Sequence, residues 1–488
     1  MCYQKKLKEN EVSSMNSKFK ITNIFVTFLM IICLGLSIPF LNTYSESFVQ
    51  ICKVSVGFVF ASVILCIIAK RKIFTPSIII LAMFVLFQFG MPILKAFDEN
   101  FYSWYLTQFS EDELIFCTKY SAFCIEFYSL GLILMSFNSK RICHKKSNLL
   151  SNENGATALK AGRFLFIISG IIAIPFAIYN AYLAFKYGYN YIKVDTAGIS
   201  NGLTNFATAL FVPSAILMWV YGKSRFERKI PIIILVFYSL VLIFTGARTS
   251  ALAVILVLLY CYIISNRNIF LSKVMIGVGT VVILLASVWI AEFRFDGKID
   301  SNGLFGVLES LIEEMGFNFT SICFTKHFVP EVENYRYGLS YFYSIICLFP
   351  KSLDFTGAVS YSFNELPEIW LGNTLHNAYG TTYDFGVGFS VIAESYFNFG
   401  EFGWILVLIQ SLIINWLIDD NEYYNNSLFG KYIQLVMLYS LITYPRRSIN
   451  TLFKTIEYSI ILVIIIIWIL NNLKYKAYGR EYGDTQHE

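Results

Sequence analysis

Residues Ile230 to Ser265 read IPIIILVFYSLVLIFTGARTSALAVILVLLYCYIIS. Two apolar runs, 229–245 and 249–265, flank one short junction, Phe244-Thr245-Gly246-Ala247-Arg248-Thr249-Ser250-Ala251. Each run approaches the length at which a helix crosses a ~30 Å hydrocarbon core. Arg248 stands between them. An arginine at the centre of a bilayer costs ~2.5–3.5 kcal/mol even on the forgiving insertion scale. The stretch therefore reads as helix, junction, helix, with Arg248 at a membrane face. An anionic ligand is a frequent compensation for such a charge, because the guanidinium fork matches carboxylate and phosphate.

The rest of the chain agrees with this reading. Of its 488 residues, 56% are hydrophobic and 15% charged. Soluble proteins carry roughly 25% charged residues, so a polytopic membrane protein is indicated. The net charge of +5 does not point to nucleic acid, because most basic residues fall in short loops where they set topology. The first run, Ile21 to Leu41, is long and lacks a small-residue cleavage site, so it reads as a span rather than a signal peptide. The ten cysteines lie mostly inside apolar runs and show no CxxC spacing. They read as small apolar packing residues, with neither a zinc site nor a disulfide framework.

About twelve spans are predicted, with eleven to thirteen as the range: 21–41, 49–69, 73–94, 114–137, 163–185, 204–221, 229–245, 249–265, 270–291, 391–418, 432–445 and 453–470. The whole chain, 1–488, reads as a single integral membrane domain. Lys5, Lys6, Lys8, Lys18 and Lys20 precede the first span. Alternate loops then carry Lys70-Arg71-Lys72, Lys140-Arg141 with Lys145-Lys146, and Lys223, Arg225, Arg228 and Lys229, and the tail adds Lys474, Lys476 and Arg480. The positive-inside rule puts all of these, and both termini, in the cytoplasm. The opposite loops are poor in basic residues, and 98–113 is acidic.

Residues 292–390 form one large outer-face loop, too polar to span and rich in aromatic residues. Leu304 to Met315 and Tyr341 to Leu348 are expected to be short surface helices. A loop of this length without a role is uncommon, and aromatic side chains suit sugar rings. No internal repeat stands out, which disfavours an inverted-repeat transporter.

With this topology Arg248, Arg294, Arg446 and Arg447 sit at three outer span junctions, where the rule disfavours positive charge. All four are arginine. A diphosphate held at the outer surface would explain the set; snorkelling to lipid headgroups is the alternative. Glu394, near the start of the tenth span, needs a partner. It reads either as a proton acceptor or as half of a structural ion pair with Arg248 or Arg294. His376 in the outer loop is a second candidate base near neutral pH, or a surface histidine without a role. Asp419-Asp420 looks like a metal pair but falls on the cytoplasmic side and reads as a polar turn. No GxxxxGKS, HExxH or GxSxG motif is present.

Four segments resemble the O-antigen polymerase (Wzy-type) family of repeat-unit polymerases. They are Thr245-Gly246-Ala247-Arg248-Thr249-Ser250, Tyr335-Arg336-Tyr337-Gly338-Leu339-Ser340-Tyr341 running on to Pro350, His376-Asn377-Ala378-Tyr379, and Gly386-Val387-Gly388-Phe389-Ser390 through Glu394 to Asn398-Phe399-Gly400. The third is also similar to a His-Asn element of O-antigen ligases. The resemblance covers about span five to span twelve. It implies a GT-C-like helical bundle in the bacterial cytoplasmic (inner) membrane, joining undecaprenyl-diphosphate-type lipid-linked oligosaccharides into O-antigen or capsule polysaccharide. It implies no metal and no cofactor, and a chain-length regulator as a further candidate partner beside membrane lipids. Under that resemblance Arg248, Arg294, Arg446 and Arg447 would hold the departing diphosphate, and His376 or Glu394 would take the acceptor's proton. Tyr337, Tyr341, Trp370 and Tyr379 would position the glycan. A flippase for lipid-linked oligosaccharides and a ligase for finished glycan are the competing readings.

Overall fold

A computed structural model describes residues 2–43, 47–137, 155–187, 202–245, 247–265, 303–351, 354–380, 388–419 and 427–484. The described residues are helical and contain no strand. The helices are α1 (Cys2–Thr43), α2 (Phe48–Lys70), α3 (Pro76–Phe97), α4 (Glu111–Ser136), α5 (Gly155–Tyr187), α6 (Gly202–Tyr221), α7 (Arg225–Phe244), α8 (Arg248–Ser265) and α9 (Gly303–Gly316). After these come α10 (Phe319–Phe328), α11 (Leu339–Ile346), α12 (Ala358–Asn364), α13 (Pro367–Tyr379), α14 (Val391–Phe399), α15 (Trp404–Ile418), α16 (Leu428–Thr443), α17 (Ile449–Ile456) and α18 (Leu462–Asp484).

Polar caps fix where these apolar helices begin. Ser110 with Glu113, and Ser224 with Glu227, form capping boxes at α4 and α7. Thr75 caps α3, with Pro76 at its first position. Ser390 and Ser427 cap α14 and α16. Each cap satisfies amide groups that lipid would leave without partners.

By length and hydropathy, seven helical stretches among the described residues are able to cross a membrane: Ile21–Thr43, Phe48–Lys70, Pro76–Phe97, Gly155–Tyr187, Gly202–Tyr221, Val391–Ile418 and Ile449–Leu473. The other expected spans fare differently. Those at 114–137, 229–245, 249–265 and 432–445 coincide with α4, α7, α8 and α16, which are shorter or more polar. The span expected at 270–291 lies outside the described residues. Ile24, Phe25 and Phe28 of α1, Phe164 and Ile171 of α5, and Trp468 of α18 turn outward. Glu126, Glu394, Gln88 and Asn398 turn inward. That inversion suits a multi-pass chain whose solvent is lipid.

Polar contacts tie several helix ends together. Lys70 Nζ meets Asp419 Oδ1 at 2.6 Å, Ser77 donates to the same carboxylate at 2.8 Å, and Arg163 pairs with Glu227 at 2.5 Å. Asp419 is thus an ion-pair partner, and no metal-type cluster occurs among the described residues; Asp420 lies outside them. Glu111 accepts the Phe48 N–H at 2.9 Å and Glu113 meets His327 Nδ1 at 2.8 Å.

Within the stretch expected to be a large outer loop, two helices, α9 and α10, pack against the bundle. Helices are present at both expected places, as α9 and α11. The backbone of α9 touches that of α3: a Cβ on Gly90 would stand 2.8 Å from Gly316 Cα. Met315 then packs with Phe87 and Leu252. The next helix, α10, is buried over most of its length and packs against α3, α4 and α14. Its composition disguises this. Thr320, Ser321 and Thr325 donate their hydroxyls to the carbonyls of Phe317, Asn318 and Ser321, so residues that read as polar are self-satisfied.

The span expected at 391–418 is broken. The chain turns at Gly400, with φ 58°, where a Cβ would meet the Tyr335 ring at 2.8 Å. Only glycine fits both the backbone and the space. A π turn, Glu457–Ile461, joins α17 to α18, and the Tyr432 hydroxyl caps the Ser459 carbonyl there.

Candidate functional site

Two of the four segments singled out by sequence clasp each other. Arg336 N–H donates to Phe397 O at 3.0 Å, and Tyr337 N–H to Asn398 O at 2.9 Å. Gly338 N–H donates to Asn398 Oδ1 at 2.9 Å. Tyr337 and Gly338 carry φ values of 49° and 91°, which turn the chain into α11. Arg336 locks the clasp from outside, bonding Glu333 at 3.1 Å and Glu365 at 2.9 Å with its guanidinium 5.4 Å from the Phe397 ring centre.

Glu394 lies at the centre of that unit and is fully buried. Its Oε1 accepts the Ser340 hydroxyl at 3.0 Å and its Oε2 accepts the Ile449 N–H at 2.8 Å. Asn398 Nδ2 supports Ser340 Oγ at 2.7 Å and Glu394 O at 2.8 Å. Ile449 opens α17, so Glu394 caps that helix and complements its positive end. The preceding turn, Tyr444-Pro445-Arg446-Arg447, is held at the Pro445 carbonyl by Gln88 and by Asn318 at 3.4 Å.

Beside this unit lies a cavity of about 550 Å³, within the roughly 300–1,000 Å³ range of small-ligand sites. Thr245, Ala247 and Ser250 line it from the Arg248 junction. Arg447, Asn450, Thr451, Lys454 and Tyr458 line it from the turn and one face of α17 and the π turn. Asn180 of α5, Asn205 and Thr208 of α6, and Tyr439 and Thr443 of α16 add polar groups. Leu366, Glu368 and Ile369 contribute from α13 and the residue before it. Asn180 Oδ1, Asn450 Oδ1, Ser459 Oγ and Glu368 Oε2 are shut off from water and have no hydrogen-bond partner. Buried polar atoms are normally bonded, and these four belong to residues that line the cavity.

The structure treats the sequence candidates unequally. Arg447 is exposed and lines the cavity. Arg248 opens α8 between two lining residues, Ala247 and Ser250. Arg446 is half-buried and is not among the lining residues, and Arg294 lies outside the described residues. His376 is exposed near the far end of α13 and does not line the cavity. Trp370 is buried and stacks on Phe397 at 4.3 Å. Tyr341 is half-buried with its hydroxyl shut off from water. Tyr337 is exposed, and Tyr379 leans on Phe324 at 6.4 Å.

Sequence reasoning passed over Lys454 and Glu368. Lys454 carried a readable signal. It is a cation just inside an apolar run, four residues after Asn450 and hence on the same helical face. Glu368 carried none, because an acidic residue in a polar stretch reads as solvated.

A family model described as O-antigen polysaccharide polymerase Wzy matches residues 19–477. No curated protein and no solved structure matches the chain. The match covers nearly the whole length, including the first spans, where the sequence likeness was only generic. It takes in the clasp, the Glu394 network and every residue lining the cavity, and the chain belongs to the O-antigen polysaccharide polymerase Wzy family.

Proposed function

We propose that this chain joins polyprenyl-diphosphate-linked repeat units into O-antigen or capsule-type polysaccharide at the outer face of the cytoplasmic membrane, and that the cavity is where it does so. The observation that carries this reading is the shared wall. Arg447, Lys454 and the junction headed by Arg248 meet around one ligand-sized space with unsatisfied polar groups. In this reading the chain is a single integral membrane domain of about twelve spans, a GT-C-like bundle with both termini in the cytoplasm. Residues 292–390 then belong to its outer half.

The donor's diphosphate sits against Arg447 and Lys454, with Arg248 within the same wall. Cations fixed there neutralise charge that develops as the anomeric C–O bond breaks. The amide and hydroxyl groups of Asn180, Asn205 and Thr208 hold sugar hydroxyls. Glu394 keeps Arg447 and Lys454 in place by capping α17, so its part is positioning. Tyr337, exposed at the clasp, is the aromatic candidate best placed to meet a growing glycan. A chain-length regulator would act on the same face.

The test is a strain lacking this chain, complemented with wild type or with Arg447→Ala. Wild type restores long polymer. The variant inserts and accumulates, yet leaves one repeat unit per carrier. Full-length chains stranded on the carrier would indicate a ligase instead, and repeat units trapped inside a flippase. Normal polymer from Arg447→Ala would remove the cavity from the mechanism.

A further inference from the structure

We propose that Glu368 is the group that takes the proton from the acceptor sugar's hydroxyl, an inference that rests on the polymerase reading above. Among the described residues lining the cavity Glu368 is the sole carboxylate, and it shares that lining with Arg447 and Lys454. Its Oε2 is closed off from water and has no hydrogen-bond partner. A buried carboxylate oxygen without a donor is costly. Glu368 itself is half-buried and lines the cavity, so a carboxylate stands in the wall that an acceptor hydroxyl would meet.

The two carboxylates prepared by the fold thus differ in kind. Glu394 has a donor on each oxygen, Ser340 and Ile449. Both are taken up in holding the clasp to the start of α17. Glu368 has an oxygen unused. It is the second residue of α13, after Pro367, so its backbone is fixed by the start of that helix. His376, further along the same helix, is outside the lining.

The step balances as follows. The acceptor oxygen forms a bond to the donor's anomeric carbon as the bond from that carbon to the phosphate oxygen breaks. The diphosphate leaves with the bonding electron pair, against Arg447 and Lys454. The hydroxyl proton moves to Glu368, which returns it to the departing diphosphate or to water before the next cycle.

The experiment uses the full-length chain in liposomes, with lipid-linked repeat units extracted from a strain that lacks it. Donor binding and polymer formation are measured separately for Glu368→Gln, Glu368→Asp and Arg447→Ala. Glu368→Gln should bind donor within about twofold of wild type and lose roughly 10²–10⁴-fold in turnover. Glu368→Asp, which keeps the charge on a shorter arm, should retain part of that turnover. Wild-type turnover in Glu368→Gln overturns the inference. So does an equal loss of binding and turnover, or failure of both Glu368 variants to accumulate, since each marks a structural role. Arg447→Ala reports on the underlying reading alone. If it loses donor binding while Glu368→Gln turns over normally, the cavity stands and only Glu368 falls. If Arg447→Ala is also normal, the cavity itself is wrong.

Discussion

Glu394 Oε2 accepts the backbone N–H of Ile449 at 2.8 Å, across 55 residues of sequence. One buried carboxylate therefore fixes the start of the helix that presents Lys454 to the cavity. Removing it with Glu394→Ala leaves the Ser340 hydroxyl and the Ile449 amide without acceptors, at about 1–3 kcal/mol for each buried group. The expected result is a lower melting temperature in detergent together with less polymer. Glu394→Gln keeps an acceptor oxygen and should be milder in both. A Glu394→Gln protein of normal stability that makes no polymer would move Glu394 from positioning into the chemistry.

Lys454 should count through its charge. A charge-assisted hydrogen bond contributes about 1.5–3 kcal/mol, so Lys454→Ala is expected to weaken donor binding by roughly one to two orders of magnitude. Lys454→Arg should retain most of it, since a guanidinium binds phosphate at least as well. Lys454→Glu would set a second carboxylate beside Glu368 and should abolish binding. Titration of purified protein with lipid-linked repeat units separates the three. Equal affinities would exclude Lys454 from the diphosphate wall.

Gly90 has no room for a side chain. Its Cβ would stand 2.8 Å from Gly316 Cα, and 3.0 Å from Ile312 O, so the obstruction is backbone and cannot rotate aside. Gly90→Val should push α9 from α3 and destabilise the protein by about 1–3 kcal/mol, the usual cost of overpacking. Thermal unfolding in detergent measures it. An unchanged midpoint would mean that α9 does not rest on α3.

Glu99 supplies a pH dependence outside the spans. The Lys53 ammonium bonds it and holds its carboxyl below the usual carboxylate range. A lowered acid contributes stability that is present above its unfolded value, about 4.3 for glutamate, and is lost as pH falls through the folded value. Wild type should therefore exceed Glu99→Gln in melting temperature at neutral pH, and the gap should close in acid. Because the pair is exposed, the gap should also shrink in high salt. A gap that persisted at low pH would rule out this ion pair as its source.

Much of the helical framework was legible in the sequence because lipid enforces it. A backbone crossing hydrocarbon must satisfy its own hydrogen bonds, so a long apolar run has one structural outcome. Basic residues recur in alternate loops for an equally local reason, since each is costly inside hydrocarbon. Reading failed where polarity is cancelled by a partner elsewhere. The helix Phe319–Phe328 looked like part of a loop because its hydroxyls are counted as exposed until their carbonyl acceptors are known. The close approach at Gly400 was equally hidden, since the Tyr335 ring that fills the space beside it comes from 65 residues away.

The candidate site divides in the same way. Sequence by itself showed that arginines such as Arg248 and Arg447 stand between apolar runs, and which segments resemble a polymerase. Those are statements about single positions against the local cost of charge in lipid. Only the tertiary structure decided which charges share a space. It set Arg447 and the Arg248 junction around one cavity with Lys454 and Glu368, left Arg446 and His376 out of its lining, and turned Glu394 into a helix cap. A charge declares its cost where it stands in the chain. Its partner is chosen by packing, and packing joins residues that are hundreds of positions apart.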